Sequence, residues 1–210
     1  MNIFGFKPES VVARLGRSSG EVKFLTLTQS LLIGSLGFCL VSLIVFATVA
    51  FGERWMYTQF TVYGAYAIWT ALFILTGGGV LSLLVVGPAR LARFYLLFTV
   101  AFFLYALGWT MAWFTSPNMT GEWIGSLAGS LLMSLILALA FGAMKSFLKI
   151  ALVMFVLHSA GYFAGSLLND AFGGRTGMIM WGAAYGLGTG AGLGYALYEA
   201  QSQVRALVNK

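Results

Sequence analysis

The chain consists of long apolar runs separated by short groups of charged residues. Uncharged stretches cover positions 24–52, 55–89, 94–121, 123–144, 150–169 and 176–198. Each is close to or longer than the roughly 20 residues that a helix needs to cross the hydrocarbon core of a bilayer. The pattern therefore predicts an all-α membrane protein, a single bundle of six transmembrane helices.

The apolar runs also predict where the spans begin and end. We expect spans at about 24–51, 57–86, 94–114, 123–144, 150–169 and 176–198. Residues 1–23 then form a cytoplasmic or interfacial N-terminal segment, and residues 199–210 form a cytoplasmic C-terminal tail. The short polar group Gly52–Arg54 predicts the turn between the first two spans, which would be adjacent antiparallel helices.

The positive charges predict which ends of the spans face the cytoplasm. Basic residues lie before the first span, between spans two and three, between spans four and five, and after span six: Lys7, Arg14, Arg17, Lys23, Arg90, Arg93, Lys145, Lys149, Arg205 and Lys210. Cytoplasmic loops of membrane proteins carry an excess of Lys and Arg. Both termini are therefore predicted to be cytoplasmic, and a bacterial inner membrane is the expected location.

Composition agrees with this interpretation and indicates one class of partner. The chain is 60% hydrophobic and 9% charged, against a charged share of about 25% in typical soluble domains. The net charge of +6 is explained by a basic collar that attracts anionic lipid, so nucleic-acid binding need not be invoked. The residues predicted to contact lipid at the inner face are Arg90, Arg93, Lys145 and Lys149.

Small residues recur every fourth position in two spans. Span six contains a glycine zipper, and span four carries a matching ridge of serines: Gly182, Gly186, Gly190 and Gly194, with Ser126, Ser130 and Ser134. Small residues at this spacing let helix backbones approach closely in membranes. We therefore predict that spans four and six pack closely, either with each other or across a subunit interface.

Span five contains the single histidine of the chain. At 100° per residue, His158, Gly161, Tyr162, Gly165 and Asn169 share one helix face. An ionisable residue inside a membrane is a functional hypothesis by default. These five residues are thus the candidate ligand site or polar intramembrane site. A hydrogen bond between His158 and a neighbouring helix is the competing interpretation.

Three consecutive glycines lie in the predicted second span. Gly77, Gly78 and Gly79 predict a helix bend there, and broken helices often line the binding sites of transporters. Close packing against another helix would explain the same three residues.

The chain offers few groups for chemistry inside the membrane. With one histidine, one cysteine and no carboxylate within a span, it cannot supply the ligands of a metal site alone. No catalytic residue and no cofactor is predicted, apart from a minor possibility that His158 ligates haem or chlorophyll. All charged residues map to span ends, which argues against ion-coupled carriers.

These features predict a non-enzymatic membrane protein, with three functions in order of preference. The first is a subunit that packs through its small-residue ridges into a homo-oligomer or a larger complex of integral membrane proteins. The second is a passive channel, or a substrate-binding transport component, for a small neutral or apolar solute. The third is a subunit associated with a pigment or a quinone.

Overall fold

A computed structural model describes residues 4–17 and 23–208, and all regular secondary structure within these ranges is helical. The α-helices are α1 (Pro8–Leu15), α2 (Leu27–Leu81), α3 (Arg90–Thr115), α4 (Met119–Phe141), α5 (Phe147–Phe172), α6 (Gly174–Ala200) and α7 (Ser202–Val208). Short 3-10 turns follow α2 and precede α5. The predicted all-α class is confirmed. The remaining residues of the predicted terminal segments, 1–3, 18–22 and 209–210, lie outside the described residues.

Helix α2 is broken at Thr61. This residue has φ 60° and ψ 172°, a backbone region that is essentially reserved for glycine. We call residues 27–60 the first arm of α2 and residues 62–81 its second arm. The turn predicted at Gly52–Arg54 is wrong, because the helix continues through these residues. A single glycine costs a helix only about 1 kcal/mol, which is too little to end it.

The two arms of α2 lie side by side and run antiparallel. Near the break the rings of Tyr57 and Trp69 meet with their centroids 5.9 Å apart. Farther from the break, Phe38 stacks on Phe73 at 5.6 Å. A straight helix of 55 residues would be about 80 Å long, far more than the roughly 30 Å of bilayer hydrocarbon. With α3 to α6, the described residues thus form a bundle of six long helical segments.

Within residues 4–17 and 23–208, four helices are long and apolar enough to cross a membrane: Leu27–Leu84, Arg90–Thr115, Met119–Phe141 and Met144–Phe172. The first of them contains both arms of α2, and α6 is not among them. The first arm also carries an exposed apolar stripe, with Leu32, Leu36, Leu40 and Ile44 between 52% and 64% exposed. Such a stripe suits lipid better than water. The structure is therefore that of a multi-pass membrane protein in outline.

Helix α6 packs between the first arm and α5 through its glycines. A Cβ at Gly190 would collide with the carbonyl oxygen of Gly34 and lie 2.7 Å from Cβ of Phe38. A Cβ at Gly186 would lie 2.6 Å from Cα of Cys39. We call this contact between α6 and the first arm the glycine seam. Its backbones approach so closely because no side chain separates them.

The ridge on α4 faces other helices than predicted. Gly125 and Gly129 pack against Trp109 and Tyr105 of α3, and α4 makes its remaining main contacts with α5. The Ser126 hydroxyl lies 2.6 Å from the hydroxyl of Ser159 on α5. Close packing of spans four and six with each other, the first of the two expected arrangements, is therefore not a main contact, since α6 has the first arm and α5 as its main neighbours. Packing across a subunit interface stays a prediction. The other two ridge serines, Ser130 and Ser134, are buried without a hydrogen-bond partner.

One end of the bundle gathers most of the described basic residues, and we call it the basic end. The N-terminal segment docks there, because Phe6 is 1% exposed and stacks on Phe141 at the end of α4 at 4.9 Å. Gln201 ties α7 to the chain after α2 by donating to the Leu84 carbonyl at 2.9 Å. Arg175 at the start of α6 lies over Phe51, which marks the opposite end.

Candidate functional site

A cleft of about 250 Å³ opens between the two arms of α2, α3, α5 and α6. Its lining is dominated by aromatic side chains: Phe46, Tyr57, Tyr66, Trp69, Phe73, Phe102, Tyr105, Trp109, Tyr162, Trp181 and Tyr185. Smaller residues fill the spaces between them, among them Val45, Val49, Ala106 and Met178. The cleft is thus a concave, largely apolar site of the kind that binds small molecules.

Contacts between rings hold the walls of the cleft. Tyr66 meets Trp69 edge-on with the centroids 5.6 Å apart, and Tyr162 of α5 meets Trp181 of α6 edge-on at 5.5 Å. Edge-to-face pairs contribute about 0.5–1.5 kcal/mol beyond their burial. The Tyr162–Trp181 contact therefore joins the walls formed by α5 and α6, and the Tyr66–Trp69 contact orders the wall formed by the second arm.

The electrostatics of the cleft favour an uncharged ligand. Among the described residues that line it, Glu53 is the single charged one. Its side chain is exposed and accepts a hydrogen bond from the Tyr57 hydroxyl at 3.0 Å, so it stands at the mouth. Deeper in the cleft no formal charge is present to balance a buried charge on a ligand, and burying an unpaired charge is costly.

Three indole N–H groups belong to side chains that line the cleft and have no hydrogen-bond partner. They are the Nε1 atoms of Trp69, Trp109 and Trp181, all of them buried. The whole Trp69 residue is 8% exposed. An unpaired buried donor costs about 1–3 kcal/mol. The Cδ1 edges of Trp109 and Trp181, next to their N–H groups, lie against Gly125 of α4 and Gly165 of α5. The Trp69 N–H is therefore the donor that we assign to a ligand with a carbonyl or ring-nitrogen acceptor.

A hydrogen-bonded histidine cluster forms the floor of the cleft. The hydroxyls of Tyr105 and Tyr185 lie 2.9 Å apart, and the Tyr105 hydroxyl lies 3.3 Å from Nε2 of His158. Nδ1 of His158 lies 3.0 Å from Oγ1 of Thr189. His158 is fully buried and does not line the cleft. Its two ring nitrogens both contact protein hydroxyls, a geometry that does not favour ligation of haem or chlorophyll.

Of the five predicted site residues on α5, Tyr162 is the one that lines the cleft. Gly161 and Gly165 face the backbone of α6: a Cβ at Gly161 would lie 2.6 Å from the Ala184 carbonyl oxygen. The Asn169 carbonyl accepts the Gly173 N–H at 2.8 Å, where α5 ends. Helix α6 therefore occupies the position beside these two glycines.

The glycines at 77–79 do not break their helix. Residues 77–79 are α-helical, and the one residue with non-helical dihedral angles described inside α2 is Thr61. A Cβ at Gly77 would lie 3.0 Å from the Phe98 ring, and one at Gly78 would lie 2.5 Å from the Tyr95 ring. The predicted bend is therefore not found at these glycines, which instead make room for aromatic rings of α3.

The basic residues predicted to contact lipid have different surroundings. Lys149 pairs with Glu199 at 3.1 Å, and Arg90 donates to the Val85 carbonyl at 3.4 Å. Lys145 is exposed. Arg93 lies beside the guanidinium group of Arg14, as described below. Among residues 4–17 and 23–208, no group of three or more His, Cys, Asp or Glu could hold a metal ion.

Sequence reasoning missed most of the cleft. Trp109 and Trp181 fall near predicted span ends, where an interfacial belt is the ordinary expectation for tryptophan, and Trp69 lies in a span that is apolar on every face. The available signal was the high aromatic content of the third span, residues 94–114, which indicates bulky packing as readily as a ligand site.

In the part of the chain that the structure describes, the protein is all-helical, with four helices able to cross a membrane and an aromatic cleft. Comparisons with protein-family models, with curated proteins and with solved structures find no match for this chain. The function is therefore inferred from the geometry of the described residues.

Proposed function

We propose that the six long helical segments each cross the membrane, with both termini on the cytoplasmic side. The arms of α2 run antiparallel and so would cross separately. Helix α6 has 27 residues, a length of about 40 Å that is sufficient to span a bilayer. The basic residues gather at one end of the bundle, as the positive-inside rule requires of a cytoplasmic face.

Helix α6 can cross the membrane despite its modest hydropathy, because other helices surround it. Among its described residues, Leu187 is the one large apolar side chain that is exposed. Its glycines contact the first arm and α5 rather than lipid. A helix in this position does not need an apolar surface all round. This explains why the hydropathy of α6 is lower than that of the other spans.

We propose that the protein binds a small uncharged solute in the aromatic cleft and acts as a substrate-binding component for its passage across the membrane. The carrying observation is the concave cleft itself, which is lined by aromatic rings and has Glu53 as the one charged residue among its described lining residues. The solute is flat or aromatic, to match the rings, and carries a hydrogen-bond acceptor for the unpartnered Trp69 N–H. Under the proposed topology, the mouth at Glu53 opens on the outer side.

The size of the cleft separates this proposal from a pigment or quinone subunit. Its volume of about 250 Å³ lies just below the roughly 300–1,000 Å³ of typical ligand sites. The cleft therefore suits a compound smaller than most cofactors. A visible absorption spectrum of the purified protein should accordingly show no pigment band.

The structure gives no support to an oligomer built on the glycines of α6. Gly186, Gly190 and Gly194 contact the first arm of the same chain, so an assembly would have to use another surface. Assembly into a larger complex stays a prediction. The glycine ridge of α6, which was the main sequence feature in its favour, is explained by packing within one chain.

The experiment compares small molecules that co-purify with the protein from native membranes. Ala106→Phe places a ring in the cleft, and Ala164→Phe adds the same ring at an exposed position of α5. Both variants should be folded and elute with the wild-type protein. We expect mass spectrometry of the extracts to find a compound with the wild type and Ala164→Phe but not with Ala106→Phe. Equal content in all three would contradict the proposal.

A further inference from the structure

The N-terminal segment is fixed at the basic end of the bundle, which places an arginine from α1 next to one from α3. Phe6, just before α1, and Val11, within α1, are 1% and 2% exposed. Both side chains are therefore buried in the bundle and anchor α1, which carries Arg14. Pro8 packs over Gly142 at the end of α4. The position of Arg14 is therefore determined by packing rather than by its charge.

Arg14 and Arg93 converge at Gly5. A Cβ built on Gly5 would lie 3.1 Å from Nη1 of Arg14 and 2.6 Å from Nη1 of Arg93. Gly5 has a φ of +71°, which favours glycine, and its carbonyl accepts a hydrogen bond from Nη2 of Arg14. The two guanidinium groups are thus within the roughly 6 Å over which neighbouring charges influence each other strongly.

No carboxylate compensates this pair of like charges. Lys149–Glu199 is the one ion pair in the described part of the chain. The Nε atom of Arg14 is buried and has no hydrogen-bond partner. Burial lowers the pKa of the Arg14 guanidinium, and the charge of Arg93 lowers it further. Two cations held together with an unused buried donor lack the anion that would stabilise them.

A phosphate group has the chemistry that this arrangement needs. The planar fork of a guanidinium group donates two parallel hydrogen bonds to a phosphate and keeps its charge at every physiological pH. Two such forks from different helices could hold one phosphate between them. The pair also lies at the basic end of the bundle, where the proposed topology places the phosphates of the cytoplasmic leaflet.

We propose that Arg14 and Arg93 form a binding site for a phosphate group, supplied by the headgroup of an anionic phospholipid or by free phosphate. A bound phosphate neutralises the repulsion between the two guanidinium groups and ties α1 to α3. The site is separate from the aromatic cleft, since no residue of the pair lines that cleft.

The test uses Arg93→Gln, with Arg54→Gln as a control that removes one exposed charge from the opposite end. Thermal unfolding of the full chain is measured in a neutral detergent without phosphate, with phosphatidylglycerol, and with inorganic phosphate against chloride at equal ionic strength. Without phosphate, we expect Arg93→Gln to unfold at the same temperature as the wild type or higher, because a repulsion has been removed.

With the phosphate source added, we expect the wild type and Arg54→Gln to be stabilised and Arg93→Gln to lose that gain, with binding of phosphatidylglycerol about tenfold weaker. Stabilisation by the lipid alone identifies a headgroup site, and an equal effect of inorganic phosphate identifies a free anion; either supports the proposal. Equal stabilisation of Arg93→Gln and of the control variant by the phosphate source would overturn the proposal. So would destabilisation of Arg93→Gln in the absence of phosphate, because it would mark a purely structural role.

Discussion

The two halves of α6 pack in opposite ways, one closely through glycines and the other loosely through large aromatic rings. Toward the basic end, Gly186, Gly190 and Gly194 let α6 approach the first arm until backbone meets backbone. Toward the opposite end, Trp181 and Tyr185 project large rings that line the cleft. One helix therefore closes the bundle in one half and leaves it open in the other.

This difference shows that side-chain size along a single helix can locate a cavity in a membrane bundle. In lipid, association between helices depends on van der Waals packing and hydrogen bonds rather than on exclusion of water. The glycine seam provides dense packing and thus stability. The aromatic half gives up some packing and leaves donors unpaired, a combination that stability alone does not explain and that a binding site does.

The largest effect should come from adding one methyl group at the glycine seam. Ala at position 190 would place its Cβ against the carbonyl oxygen of Gly34 and 2.7 Å from Cβ of Phe38. Because backbone cannot move aside as a flexible side chain can, we expect Gly190→Ala to destabilise the chain by about 3 kcal/mol or more. The loss in the free energy of unfolding is measured by unfolding the protein in a titration with sodium dodecyl sulfate.

Gly52→Ala is the matched control, since a Cβ at Gly52 meets nothing within 4 Å. It should leave stability unchanged or raise it by no more than about 1 kcal/mol. If Gly190→Ala instead unfolded like the wild type but ran at a smaller mass on a native gel, the ridge would belong to a subunit interface and the seam account would be wrong.

The second effect tests the floor of the cleft. His158→Leu removes one hydrogen-bond partner from each of the Thr189 and Tyr105 hydroxyls. Because unpaired buried polar groups are costly, we expect a loss of about 1–3 kcal/mol in the free energy of unfolding. His158→Gln, which can still hydrogen-bond, should lose less. Equal losses for the two variants would show that ring packing rather than hydrogen bonding holds the floor.

The third effect concerns the break in α2 beside the mouth of the cleft. Thr61→Gly relieves a conformation that glycine adopts readily, and should stabilise the chain by about 1 kcal/mol. The neighbouring change Thr58→Gly lies in regular helix and should destabilise it by a similar amount. A gain in stability for Thr61→Gly and a loss for Thr58→Gly, measured in the same denaturation experiment, would support the observed break. A loss of stability in both variants would place the turn between the arms at another residue.

The smallest effect on stability should come from removing an unpaired donor. Trp69→Phe deletes one of the indole N–H groups without a partner and keeps an aromatic ring. We expect the free energy of unfolding to change by no more than about 1 kcal/mol, while affinity for a ligand with acceptor atoms falls. A large loss of stability would indicate that the Trp69 N–H already has a structural partner.

The sequence predicted the helices better than their partners. Apolar runs are long enough to mark membrane helices, so the all-α class followed from them directly. The helix that packs against α6 could not be predicted. A ridge such as Gly186 and Gly190 indicates a close helix contact but does not identify the other helix. The first arm carries its own small residues, Gly34 and Ser30, but many spans do.

The site was predicted only where a helix had a distinctive face. Tyr162 was identified because it shares a face of α5 with the single histidine. Trp69 was not, since the helix that carries it is apolar on every side and no periodicity separates a cleft from a lipid surface. Trp181 was not, because tryptophan near a span end is ordinarily part of an interfacial belt. The break at Thr61 was equally hidden, because threonine is a residue that rarely adopts a positive φ.

The most direct test of the account is the binding of coumarin, a flat uncharged molecule with a carbonyl acceptor, measured by equilibrium dialysis. Naphthalene, which has a similar shape but no acceptor, serves as the comparison ligand, and Ala164→Phe controls for partition into detergent. We expect saturable binding of coumarin to the wild type and to Ala164→Phe, weaker binding of naphthalene, and loss of both with Ala106→Phe. Equal uptake of coumarin by the wild type and Ala106→Phe would show that the cleft is not a binding site.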